Sequence, residues 1–186
     1  MKTLFKVLNL LALLGATAWI VSNFDWEPIV TFLTLLSSFI YLEFKKDSTD
    51  KHDADKKLFD KFNEALPYYN VSYVAVTSLK SPFINNKMDP FFDFDSSWND
   101  VHHTFLNTKL EKKKQKLYRS ISLFTSLLAE HTVTHNNPRL QWIPADWEQR
   151  NRDEYNKACN DISKSQDEVV KDYNDFVRYA KHLLKV

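Results

Sequence analysis

The stretches Val7–Phe24 (VLNLLALLGATAWIVSNF) and Pro28–Phe44 (PIVTFLTLLSSFIYLEF) lie back to back, with only Asn23-Phe24-Asp25-Trp26-Glu27-Pro28 between them. A helix needs roughly 17–25 mainly apolar residues to cross the hydrocarbon core, and both runs lie near the short end of that range. The pattern predicts a two-helix transmembrane hairpin over residues 1–46, carrying a helical domain over 47–186. Trp19, Trp26 and Tyr41 fall where an aromatic belt would meet the headgroups. Asn9, Thr17, Ser22, Thr31, Thr34, Ser37 and Ser38 are polar or small residues that would let membrane helices approach and hydrogen-bond, and Gly15 and Ala16 would allow close approach of a neighbour.

A second reading of the first run is a cleaved signal peptide, because Lys2 and Lys6 precede it and Ala16-Thr17-Ala18 resembles a cleavage site. Trp19-Ile20-Val21 argue against it, since they continue the apolar run where a mature terminus would turn polar. Orientation is the same under both readings. The connecting segment carries Asp25 and Glu27 and no Lys or Arg, whereas Lys45, Lys46, Lys51, Lys56 and Lys57 follow the second run. Positive-inside bias then puts the bulk of the chain in the cytoplasm, with both termini there in the hairpin reading.

Composition narrows the remaining possibilities. Cys159 is the single cysteine, which leaves no disulfide framework and suits a reducing compartment. Gly15 is the single glycine, so the region after the hairpin has none. That removes Walker loops, dinucleotide fingerprints and nucleophile elbows, and it disfavours tight hairpin turns. The balance is an all-α fold.

Apolar spacing then outlines the elements. A polar linker, Lys45–Asp55, either separates or extends the second run, and Leu58, Phe59, Phe62 and Leu66 mark a helix that stops at Pro67. Residues Tyr68–Lys80 read as either strand or helix, with the balance toward helix. Pro82–Asp95 reads as an irregular connection whose Phe91, Phe92 and Phe94 plug a core edge. A longer helix is expected from Ser96 or Asp100 to His131, striped by Leu110, Leu117, Ile121, Phe124 and Leu128. After a loop through Asn136-Asn137-Pro138 to Ile143-Pro144 comes a long last helix. There Tyr155, Ile162, Val169, Phe176 and Leu183 repeat every seventh residue, interleaved with Cys159, Gln166, Tyr173 and Ala180, as in a bundle or coiled coil.

No set of residues reads as catalytic, cofactor-binding or metal-binding. His131 and His135 have the spacing of two zinc ligands on one helical face, but no third ligand accompanies them. His102 and His103 are adjacent and point to different faces. Arg178 and His182 fall one residue short of the Arg…His spacing of helical ribonucleases of the HEPN type. The better candidate is a basic cluster, Lys109, Lys112, Lys113, Lys114, Lys116 and Arg119. Within it Lys109, Lys112, Lys113 and Lys116 share one strip that could hold phosphates of a partner or of anionic lipid. The competing account is a solvated face offset by Glu111 and nearby acids.

The order of features after Leu58 resembles a family of small bacterial two-transmembrane proteins. It comprises a helix closing in Leu66-Pro67, a Phe-rich connection, Phe105 with Leu110-Glu111 opening a basic helix, and an Asn-rich loop. Ile143-Pro144-Ala145-Asp146-Trp147-Glu148 follows, then a last helix containing Val170-Lys171-Asp172-Tyr173-Asn174-Asp175-Phe176-Val177. The architecture is also similar to two-transmembrane effectors of retron-type anti-phage defence. That resemblance implies a toxin-like inner-membrane effector restrained by a reverse transcriptase carrying its DNA–RNA hybrid. Two functions are therefore expected in order: a membrane-perturbing effector whose hairpins self-associate, and a membrane-tethered scaffold that recruits a cytosolic partner. Enzymatic activity on a small-molecule substrate ranks below both.

Overall fold

Apolar spacing and capping side chains divide the chain into seven α-helices and three very short strands among the described residues. The computed structural model describes residues 2–22 and 26–186, and the side chains of all of these except 2–7, 9, 28, 42–48 and 145. In order, the elements are α1 (Lys2–Ser22), α2 (Trp26–Ala65), α3 (Tyr68–Val76), β1 (Phe83–Ile84) and α4 (Asp89–Ser97). They continue with α5 (Thr108–His131), β2 (Val133–Thr134), β3 (Leu140–Trp142), α6 (Ala145–Arg150) and α7 (Arg152–Leu184). Contacts group the chain into one unit up to Lys51 and another from His52 to Val186, a boundary five residues beyond the expected 46/47.

In the first unit the apolar runs are helical, but among the described residues no helix is long and apolar enough to cross a membrane. Among these residues the expected transmembrane hairpin is therefore not supported, and charge flanks both runs. Described as helix over Lys2–Ser22, α1 carries Lys2 and Lys6 in its first turns, while Glu27 and Glu43 bound the run in α2. The turn expected between the runs includes 23–25, which lie outside the described residues.

The protein does not cover these apolar side chains. Leu14 is 61%, Val21 83% and Trp26 72% exposed. Less exposed positions follow one stripe on each helix, Leu13, Ala16 and Ile20 in α1 and Ile29, Phe32, Leu36 and Phe39 in α2. Five described hydroxyls of this unit, those of Thr17, Ser22, Thr31, Thr34 and Ser37, bond within their own helices. Thr17 donates to the Leu13 carbonyl at 2.7 Å, and Ser22, Thr34 and Ser37 donate four residues back at 2.8 Å each. Such back-bonding removes a polar group's need for water or for a neighbouring helix.

The second unit buries its own core. No proline or glycine interrupts 29–66, so the polar stretch Lys45–Asp55 continues α2 as helix and delivers Phe59 and Phe62 into the core. Phe62 meets Phe176 of α7 at 4.7 Å between ring centres, and Phe94 and Trp98 edge-on at 5.7 Å each. Edge-to-face pairs add about 0.5–1.5 kcal/mol each beyond area burial. The heptad positions Ile162, Val169, Phe176, Cys159, Tyr173 and Ala180 are all buried, and α7 packs mainly along α5. Burial pushes the Tyr173 hydroxyl up to about 12, with neighbouring Tyr68 adding to the shift.

Three expectations are corrected here. The connection Pro82–Asp95 contains α4, and Phe91 and Phe94 are fully buried core residues rather than plugs at an edge. Helix α5 begins at Thr108, well after Ser96 or Asp100. The Asp100 side chain instead caps a single 3-10 turn, Val101–His103, and the Asn107 side chain accepts from the Lys109 and Leu110 amides to start the long helix. The loop after α5 holds part of a small antiparallel sheet of order β1-β3-β2, pairing Phe83 with Gln141 and Val133 with Trp142. Residues 68–76 are helix, closed by Gln166, whose amide donates to the Val74 carbonyl and, at 3.0 Å, to that of Thr77.

Phe176 touches Phe59, Phe62 and Phe105 from three directions. Phe176→Ala should therefore destabilise the second unit by about 3–5 kcal/mol. Chemical unfolding of the full chain followed by near-ultraviolet circular dichroism checks this, and an unchanged midpoint would count against the core described above.

Candidate functional site

Core positions on α5 recur at Leu110, Lys114, Leu117 and Ile121, and all four are fully buried. A lysine in that register requires compensation, because an ammonium removed from water is costly unless paired and hydrogen-bonded. Lys114 donates to the His103 carbonyl at 2.7 Å and the Trp98 carbonyl at 3.4 Å, and its ammonium lies 3.1 Å from the Glu111 carboxylate. Glu111 also accepts from the Phe105 amide and from Gln115, each at 2.8 Å. The loop 98–107 is thereby fastened onto the first turns of α5.

From the other side the same loop is held by Asp55 of α2. Its buried carboxylate accepts the Leu106 amide at 2.6 Å and the Asn107 amide at 2.9 Å. Hydrogen bonds to a charged acceptor are the strong ones, about 1.5–3 kcal/mol net. Asp55, Phe59, Phe62 and Leu66 share one helical stripe, as Lys114 shares the stripe of Leu110 and Leu117. A charged residue in an apolar register was the available signal for both. It was overlooked for Asp55 and masked for Lys114 by the surrounding lysines.

These pairings sort the basic cluster. Lys116 binds Asp172 of α7 at 2.6 Å, and the second Asp172 oxygen accepts from Ser120 at 2.6 Å. The hydrogen bond it donates to the Asp172 carboxylate holds the Lys116 ammonium above the usual lysine range. Lys113 lies over the Tyr179 ring at 5.4 Å. Lys109, Lys112 and Arg119 are exposed and form no ion pair with any described residue. Lys112, Lys116 and Arg119 line one side of an open concavity of about 410 Å³, together with Phe105, Thr108, Glu111 and Gln115. So the expected strip is split: Lys109 and Lys112 stay open to solvent, while Lys113 and Lys116 are engaged by α7. Because Glu111 is turned inward toward Lys114, it is a weaker offset for Lys112 than the sequence suggests.

Elsewhere the candidates do not converge. His131, ending α5, packs edge-on against Trp147, whereas His135 lies beyond β2 against Trp142 and accepts the Asn137 amide. Among the described residues no group of His, Cys, Asp and Glu is placed to hold a metal ion. His103 stacks on Trp98 at 4.4 Å and binds Asp100 at 2.8 Å, and His102 is exposed. In the first unit Trp19, Trp26 and Tyr41 are exposed, and nothing lies within 4 Å of where a Gly15 side chain would begin. The Asn9 side chain lies outside the described residues.

Two lysines two residues apart should therefore behave oppositely. Lys114→Met, which strands the Glu111 carboxylate and the His103 carbonyl, should destabilise by about 3 kcal/mol. Lys112→Gln, at an exposed position with no partner, should stay within about 0.5 kcal/mol of the parent. Thermal unfolding of the two variants checks the difference, and equal effects would contradict the division of the cluster. No protein-family model, curated protein or solved structure matches this chain.

Proposed function

We propose that this chain is a membrane-anchored helical interaction protein without enzymatic activity, which holds its second unit at the cytoplasmic face of a bacterial inner membrane. The observation that carries the proposal is the exposure of the apolar side chains in α1 and the first half of α2. Leu8, Leu10, Leu11, Leu14, Val30, Leu33 and Ile40 all face outward. At about 25 cal/mol per Å², an apolar surface of that kind is strongly drawn out of water. The first turns of both helices carry charge, Lys2 and Lys6 in one and Glu27 in the other. Short apolar stretches flanked by charge are accommodated in lipid by local thinning and by snorkelling of long flanking side chains.

Between anchor and pore, the hydroxyl pattern favours the anchor. Thr17, Ser22, Thr31, Thr34 and Ser37 each bond to their own helix, so they need no second hairpin to satisfy them. The second reading is a membrane-perturbing effector that self-associates and is restrained through the second unit, for instance by a protein–nucleic acid partner. The open surface at Gly15 is what favours it, since a neighbouring helix could approach closely there.

Flotation separates the anchor from a water-soluble protein, and dye entry separates the anchor from the leak. The full chain should float with vesicles of neutral phosphatidylcholine and stay with them in high salt and alkaline carbonate. Cells expressing it should continue to exclude a membrane-impermeant dye. Release from the vesicles by salt or alkali would overturn the anchor. Dye entry that Asn9→Leu abolishes at equal membrane levels would favour the effector.

A further inference from the structure

The loop 98–107 has a feature that its packing does not explain: it is locked in place from two sides, yet it holds large apolar side chains in the open. Leu106 is 55% and Val101 82% exposed, although the Leu106 amide is bound to buried Asp55 and the preceding Phe105 is buried. Immediately after Leu106 come the exposed cations Lys109 and Lys112, with Arg119 two turns further along the same side of α5. Glu111, the acid nearest in sequence, is engaged by Lys114, Gln115 and the Phe105 amide. Asp172, Asp175 and Glu168 of α7 act on Lys116, the neighbour of these cations on the strip, while Lys109, Lys112 and Arg119 form no ion pair with a described residue. A fixed apolar tip bordered by unpaired cations is the surface that peripheral contacts with anionic bilayers use: the tip enters the interface and the cations meet phosphates.

We propose that the loop 98–107 and the outer face of α5 form a second membrane contact. Lys109, Lys112 and Arg119 bind the phosphates of anionic lipid headgroups, and Leu106 enters the interfacial layer beside them. The inference rests on the membrane-anchor reading, which sets its geometry. Asp55, which holds the loop, follows Lys45 by ten residues, so at most about 35 Å of chain separates the loop from the end of the apolar run. A lipid surface is then the phosphate array always within reach. Nucleic acid fits the face less well, because stacking on exposed aromatic rings supplies much of single-strand affinity and Phe105, the aromatic residue of this concavity, is buried. Docking of this kind would make the exposure of the second unit depend on the lipid charge around it.

The test attaches an environment-sensitive bimane to Leu106→Cys in a Cys159→Ala background and reconstitutes the full chain in two vesicle types. One is phosphatidylcholine alone, the other phosphatidylcholine mixed with phosphatidylglycerol, each with a trace of headgroup-level nitroxide lipid as quencher. Quenching should be strong in the anionic vesicles, weak in the neutral ones, and weakened by salt. At about fivefold per basic residue near an anionic surface, converting Lys109, Lys112 and Arg119 to Gln should lower the docking equilibrium about a hundredfold. The variant should keep its circular dichroism spectrum and its flotation. Equal quenching in both vesicle types, in protein that floats with both, would overturn the docking while leaving the anchor standing. Failure to float with neutral vesicles would overturn the anchor. Lysine-dependent binding of a single-stranded oligonucleotide, with quenching indifferent to lipid charge, would assign the face to nucleic acid and refute the proposal.

Discussion

Helix α2 has to satisfy two environments along one unbroken backbone. From Trp26 to Tyr41 none of its described large apolar side chains is buried and half are exposed, while from Asp55 to Leu66 the same helical periodicity turns Phe59, Phe62 and Leu66 into a dry core. A helix apolar around most of its circumference is stable only inside protein or lipid, whereas a helix with one apolar stripe is stable against a partner surface in water. The rest of the architecture follows from where that change occurs. Before it, hydroxyls fold back on their own carbonyls. After it, aromatic rings interlock with α4 and α7, and the buried charges of Asp55, Lys114 and Asp172 find partners outside their own helices.

The polar groups of the core also shape the surface. Asp55, Lys114 and Asp172 are buried charges, and each answers a specific demand: two loop amides, two loop carbonyls with a carboxylate, and a lysine with a serine hydroxyl. Buried pairs of this kind contribute little net stability but make alternative arrangements expensive. Their placement also has an external consequence. By drawing Glu111 toward Lys114, and Lys116 toward Asp172, the core leaves Lys109, Lys112 and Arg119 as the uncommitted charges of α5. Which cations α5 leaves at its surface is thus set by those the interior uses.

Much of the helical framework was legible because it depends on periodicity alone. The seven-residue repeat from Tyr155 to Leu183 corresponds to the observed seam of α7, and the stripe from Leu110 to Leu128 to that of α5. Boundaries were harder where capping competes with spacing. Asp100 and Asn107 are both good cap residues, and only the tertiary clamp by Asp55 decides that the long helix starts at the second. The three short strands were invisible, since two or three residues carry no alternation to read. Of the basic strip, its position on the helix was legible and its occupancy was not, because pairing with Asp172 and Tyr179 depends on how α7 lies along α5. The apolar runs were read as spanning segments. Charges flank both of them, and what their exposed side chains require is an apolar surrounding.

That requirement is measured most directly by the depth of a nitroxide attached at Leu14→Cys, a position 61% exposed in the protein alone. In the full chain reconstituted into neutral phosphatidylcholine, with Cys159 replaced by Ala, the account predicts high collision with oxygen and almost none with a water-soluble nickel chelate. Such a probe lies within the acyl chains. Ready collision with the nickel chelate, at the level of a nitroxide on an exposed residue of α7 such as Lys181, would contradict the account.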